Sequence, residues 1–250
     1  DSHYNPFKNP VIKFRNYLIV QVLYETGFRC AELLALRIGD IGTDTDNPTL
    51  SVVRRHDSKD DPRLKEPTAK TLGRAVSITK ELRDLLNTYI KVHRVDTKVA
   101  KTHPFIFVSH KDKEGHYQSG QPLIQQTIND IFKSIKGVNP ERFWAITPHS
   151  YRHYFNDQLS DQIDEERRAV RQEVKRLEQA GLHQAAKQYA DENKITKQRE
   201  LEIRAELNGH SSLKSGEIYL KRTARKQAQR IRQRMQSRMK HKTDGGYHGS

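Results

Sequence analysis

The sequence predicts a mainly α-helical α+β fold with a small antiparallel β-sheet and an inserted helical hairpin. Three patterns predict it. Apolar residues keep helical spacing through several long stretches, and two short β-branched segments, 49–55 and 74–79, flank a polar loop. Residues 160–206 form a proline-free run with 11 acidic and 10 basic residues. An apolar repeat of three to four residues marks one face of a helix, whereas alternation over a few β-branched residues marks a half-buried strand.

The elements follow in order. Residues 1–13, with Pro6 and Pro10, read as a linker remnant entering a helix. Val11, Ile12, Phe14, Leu18, Val22 and Leu23 keep helical spacing until Gly27 interrupts them. A second helix is expected from about Cys30, turning Leu33, Leu34 and Leu36 to a core. After the two strand segments, Leu82, Leu85, Leu86, Tyr89 and Ile90 give an amphipathic helix over 80–93. Residues 105–108 read as a short apolar strand, and Leu123, Ile124, Ile128, Ile131 and Phe132 as a further helix.

Helix resumes after Pro148, and near Ser160 its character changes. Leu159, Ile163, Val170, Val174 and Leu177 form one stripe, the pattern of a two-helix insertion or short coiled coil with Gly181 as its break. That insertion, 160–204, reads either as a solvated hairpin packed on itself or its host, or as a self-association or partner surface. Past Tyr219, residues 221–242 carry ten Lys or Arg and no Asp or Glu. The tail reads as a DNA-touching arm or as a helix that docks on a neighbouring subunit. Arg222, Arg225 and Lys226 are its candidate DNA contacts.

Composition narrows the function. At 250 residues the chain can bury a real core, as one large domain or two small ones. Its net charge of +14 favours a polyanionic partner, because each phosphate neutralised by Lys or Arg releases condensed counterions. No apolar run approaches the roughly 18–20 residues of a spanning helix, so no membrane role is expected. The opening Asp1-Ser2-His3-Tyr4 does not read as a signal peptide. A single cysteine, Cys30, excludes an internal disulfide and fits a cytoplasmic, nucleoid-associated location.

The chemistry sits in an ordered set of polar residues. Arg29 lies in Thr26-Gly27-Phe28-Arg29-Cys30-Ala31-Glu32, and Lys70 in Ala69-Lys70-Thr71-Leu72-Gly73-Arg74. His149 and Arg152 share Pro148-His149-Ser150-Tyr151-Arg152-His153, His210 follows in Leu207-Asn208-Gly209-His210, and Tyr219 in Gly216-Glu217-Ile218-Tyr219. A phosphodiester resists attack because its charged oxygens repel the nucleophile and its leaving alkoxide is poor. Two guanidinium groups suit the non-bridging oxygens, since each forks onto phosphate and stays charged. A phenol is a weak nucleophile at its ordinary pKa of about 10, so it needs cationic surroundings and a proton acceptor, for which His149 is placed. Lys70 suits protonation of the leaving oxygen, with Lys65 or Lys59 as substitutes. His149 and His153 are four apart, but Ser150 stands where a helical zinc motif has Glu, so no metal is expected.

These residues and their contexts resemble the tyrosine recombinase, or phage integrase, family over about residues 14–220. The resemblance implies that the residues matching Arg29, Lys70, His149, Arg152 and His210 surround a scissile phosphate. The one matching Tyr219 forms a 3′-phosphotyrosyl link, and Glu32 matches an acidic supporter of the site. It further implies a DNA strand transferase of a mobile element that needs neither ATP nor metal nor other cofactor. Such an enzyme works as a homotetramer on two paired double-stranded DNA sites, and is monomeric or weakly associated without DNA. Two departures stand out. The stretch from Arg152 to His210 is longer than usual, by the charged insertion, and the family's N-terminal core-binding domain is missing, as in a catalytic fragment. A type IB topoisomerase and a non-catalytic DNA-binding regulator are the competing readings.

Overall fold

The computed structural model describes residues 4–55, 60–67, 71–112, 118–210, 212–213, 215–217, 219–221, 224, 228–229, 231–233 and 235. The chain divides into two compact units, residues 1–158 with 206–211, and residues 159–205 with 212–250.

The first unit opens with α1 (Pro10–Thr26), which starts inside the stretch expected as linker. The reason is local: the Asn9 side chain accepts from the Ile12 N–H at 3.0 Å, and Pro10 occupies the first turn, where its missing N–H costs nothing. Gly27 ends the helix in the left-handed region at φ 61°, and a Cβ there would lie 2.7 Å from the Phe155 ring. Only glycine fits both demands. α2 (Cys30–Ala35) follows at once. Next come β1 (Thr49–Val52) and β2 (Arg74–Ser77), paired antiparallel with Val52 opposite Arg74. In β2, Arg74 and Val76 are buried while Ala75 and Ser77 face out, the alternation of a half-buried strand.

α3 (Lys80–Thr88) runs into a π-helical turn, Tyr89–Arg94. α4 (Gln125–Val138) and the short α5 (Pro140–Phe143) complete this part of the chain. Residues 105–108, expected as a strand, form none. They make isolated bridges, Arg37 to Phe105 and Val108 to Pro122, because both partners are irregular segments that offer no continuing ladder. The core joins Leu18, Val22, Leu23 and Phe28 to Leu33, Leu50, Val76, Leu82, Leu86, Ile128 and Phe132.

α6 (Pro148–Gln179) is one continuous helix of 32 residues, so the composition change near Ser160 is no break. The chain turns at Gly181 through bonds from Leu182 N to Leu177 O and from Gly181 N to Glu178 O, then forms α7 (His183–Asn193) and α8 (Lys197–Asn208). Residues 160–204 thus comprise the distal part of α6 with α7 and most of α8. Inside the second unit Ile163, Ala186 and Leu201 are buried, and so are Glu200 and Arg204 of an ion-pair chain. Arg204 donates to Glu200 at 2.8 Å and to Ser160 at 2.7 Å, and Arg167 reaches Glu200 at 2.9 Å. Described residues between 215 and 235 are helical. Among the described residues, no helix is long and apolar enough to cross a membrane.

Leu23 has no exposure, whereas Leu64 is fully exposed. Leu23→Ala is expected to cost about 2–5 kcal/mol in urea unfolding, and Leu64→Ala to stay within about 0.5 kcal/mol.

Candidate active site

The site of the first unit is organised by Glu32, whose side chain has no solvent exposure. It stands three residues into α2 and accepts the Arg29 N–H at 2.8 Å, which satisfies one orphan donor of the helix start. Arg74 forks onto both carboxylate oxygens, Nη2 to Oε2 at 3.0 Å and Nη1 to Oε1 at 3.2 Å, and the Thr71 hydroxyl donates as well. The guanidinium of Arg29 lies 3.5 Å from the same carboxylate, and that of Arg152 4.0 Å. Burial alone pushes this carboxyl up. The hydrogen bonds and charge of Arg74, the Thr71 hydroxyl and the Arg29 N–H outweigh it and hold the group below the usual carboxylate range.

Arg152, on the first turns of α6, is 1% exposed. It donates to Gly27 O and to Asn208 O, each at 2.9 Å, and meets His210 Nε2 at 3.3 Å. Its position depends on a reciprocal amide pair: Asn156 and Asn208 exchange two bonds of 3.0 Å, and Asn156 also donates to Arg152 O. This pair ties α6 to the end of α8, which puts the Asn208 carbonyl under the guanidinium.

His210 follows Gly209, a left-handed residue at φ 63°. The imidazole is 8% exposed, and its pKa falls to about 4, through burial first and then the charges of Arg152, Arg29 and Arg74. It is therefore neutral at physiological pH. An arginine can only donate, so Nε2 accepts and the ring proton sits on Nδ1. Such a ring remains a hydrogen-bond donor without carrying charge.

The structure thus brings Arg29, Glu32, Arg152 and His210 together. His149, one turn before Arg152, is exposed and packs edge-on against His153 with centroids 4.3 Å apart. The shared helical face expected from their spacing does not give the two residues equal burial: Arg152 turns inward and His149 sits at the surface. Tyr219 belongs to the second unit, on a helical segment, and is 8% exposed. Lys70 lies outside the described residues, as do Lys59, Arg222, Arg225 and Lys226. Lys65 is described and exposed.

Sequence reasoning missed Arg74, Thr71, Asn156 and Asn208. A signal for Arg74 did exist. Alternation about Val76 places it on the buried side of β2, and a buried guanidinium requires a carboxylate partner.

A mainly helical domain with a two-stranded hairpin and an arginine–histidine cluster around a buried carboxylate is the setting in which the comparisons with known proteins fall. Residues 4–167 match the phage integrase family, and the chain belongs to that family. It is 31% identical over 146 residues to transposase A from transposon Tn554 of Staphylococcus aureus, a match covering 58% of this chain and 36% of the relative. Among solved structures, its fold is similar to that of the site-specific recombinase XerH. The post-cleavage complex of XerH with palindromic difH substrate gives a TM-score of 0.55 at 18% identity, over 90% of this chain and 47% of that one. A pre-cleavage complex with difH gives 0.52 at 19%, over 86% and 44%. The chain therefore spans about a third of the curated relative and under half of these structures.

Two outcomes are expected. Glu32→Ala leaves buried guanidinium groups uncompensated and should cost about 3–5 kcal/mol in denaturant unfolding. Because the His210 pKa is depressed, the stability its neutral form contributes is complete above the unfolded value of about 6.5 and is lost as pH falls toward about 4. In nitrogen NMR its ring should keep the neutral Nδ1–H form from pH 8 to about 5.5. A midpoint near 6.5 would contradict this geometry.

Proposed function

We propose that this chain is the catalytic part of a site-specific DNA recombinase of a mobile genetic element, one that cuts and reseals strands through a 3′-phosphotyrosyl link. Family membership and the likeness to a transposon transposase support the reading. The observation that carries it is the cluster around Glu32, where three guanidinium groups and one neutral imidazole converge.

The chemistry follows from that cluster. Arg29 has a side chain 38% exposed at the start of α2, where backbone N–H groups also favour an anion. It is the group best placed to meet a non-bridging oxygen from solvent. Arg152 and His210, held by protein carbonyls and by each other, supply fixed donors that need no reorganisation when charge develops. The Tyr219 oxygen attacks phosphorus and gives up its proton, with His149 the candidate acceptor. The P–O5′ bond breaks, and the departing oxygen takes a proton from Lys70. In the second half, a free 5′ hydroxyl attacks the phosphotyrosine and the phenol leaves. Since the ester bond energy is retained in the protein link, the cycle consumes no ATP and needs no metal.

The biological unit is proposed to be a homotetramer on paired double-stranded DNA sites, acting on the nucleoid, with Arg222, Arg225 and Lys226 among the backbone contacts. A nicked suicide duplex tests the reading. Wild type should accumulate a covalent protein–DNA adduct and Tyr219→Phe none; absence of adduct with both proteins would remove the enzyme reading. Exchange between two marked duplexes, as against simple relaxation of a supercoiled circle, separates a recombinase from a type IB topoisomerase. Binding of duplex DNA should weaken about 10³–10⁵-fold between 50 and 200 mM salt if six to ten phosphates are contacted. A flat response would contradict a phosphate-dominated interface.

A further inference from the structure

Arg74, which the sequence did not single out, bonds to several parts of the site at once. Its Nη atoms fork onto Glu32, and Nη1 is 3.5 Å from the Thr71 hydroxyl. Its Nε donates to Leu207 O at 2.9 Å, and the guanidinium lies 5.2 Å from the Phe28 ring centroid. Two residues before it, Leu72 N donates to Gly209 O at 3.0 Å. The start of β2 is therefore bonded at once to α2, which carries Arg29 and Glu32, and to the turn from which His210 emerges.

The fit at that turn is close. A Cβ on Gly209 would lie 2.5 Å from Arg74 Nη1 and 2.9 Å from Leu72 O, in addition to the strain of φ 63°. The glycine lets the turn approach the guanidinium, and the guanidinium holds the turn in place.

We infer that Arg74 is a positioning residue for strand cleavage: clamped between Glu32 and the Leu207–Gly209 turn, it sets His210 relative to Arg29 and Arg152, and so shapes the cradle for the non-bridging oxygens. It does not touch the phosphate itself: the side chain is 2% exposed, and Nε and both Nη atoms already bond to Leu207 and Glu32. The inference rests on the strand-transfer reading above. Lysine is no substitute, since a single ammonium cannot fork onto a carboxylate and also reach a carbonyl on its other edge.

The test compares ordinary suicide DNA with DNA whose scissile phosphate is a methylphosphonate, in each of its two isomers. A neutral phosphonate has one charged oxygen fewer to stabilise, so a defect in the oxygen cradle matters less there. Two variants are used, Arg74→Lys, which keeps the charge, and Gly209→Ala, which keeps every functional side chain but displaces the turn. Both should cleave ordinary DNA about 10²-fold more slowly than wild type, the scale of losing one oxyanion donor. On one methylphosphonate isomer the same variants should lie within about 10-fold of wild type. Equal losses on both DNAs would overturn the inference by making Arg74 a purely structural residue, and unchanged rates on ordinary DNA would overturn it outright. A wild type that cleaves neither DNA removes the strand-transfer reading and this inference with it. Thr71→Val, which deletes only the hydroxyl donor to Glu32, should show the same selectivity in weaker form. Its failure to do so while Arg74→Lys succeeds would restrict the clamp to the guanidinium.

Discussion

A carboxylate sealed from water must be surrounded by donors, and Glu32 imposes that requirement at the centre of the first unit. An isolated buried charge costs several kcal/mol even after relaxation, so its partners are not interchangeable decorations. They come from three stretches of chain: a backbone N–H from the start of α2, a hydroxyl and a guanidinium from residues 71–74 at the entry to β2, and a further guanidinium from α6. Satisfying one carboxylate thus fixes the relation of segments far apart in sequence. The Leu207–Gly209 turn joins the assembly through the carbonyls that Arg74 and Arg152 take from it.

That arrangement resolves an electrostatic conflict. Arginines gathered at one place repel one another, and Glu32 offsets the repulsion while leaving Arg29 partly exposed. Burial first, and then the same positive field, depress the His210 pKa and keep the ring neutral, so it adds a donor without adding charge. Donors fixed in this way stabilise a developing negative charge more than flexible ones would, because no energy is spent in aligning them.

Much of this was legible in the sequence. The strand segments, the Gly27 break and the helical stretches followed from apolar periodicity, and the Thr26–Glu32 context located Arg29 at a helix start. Three features were not. Arg74 was obscured because a charged residue opening a strand reads as an exposed one unless its register against Val76 is followed. Residues 105–108 have the composition of a strand, but strand formation depends on a partner, and their neighbours Arg37 and Pro122 lie in irregular chain. The unity of α6 was hidden by a shift in composition near Ser160, where neither proline nor glycine interrupts the helix. The Asn156–Asn208 amide pair links positions 52 residues apart and leaves no local pattern at all.

The second unit carries the proposed nucleophile, the oxygen of Tyr219. The most direct measurement is mass spectrometry of the protein–DNA adduct after protease and nuclease digestion. The expected product is a peptide containing Tyr219 joined through its phenol to a 3′-phosphorylated nucleotide. A nucleotide attached to any other residue, or joined through its 5′ phosphate, would contradict it.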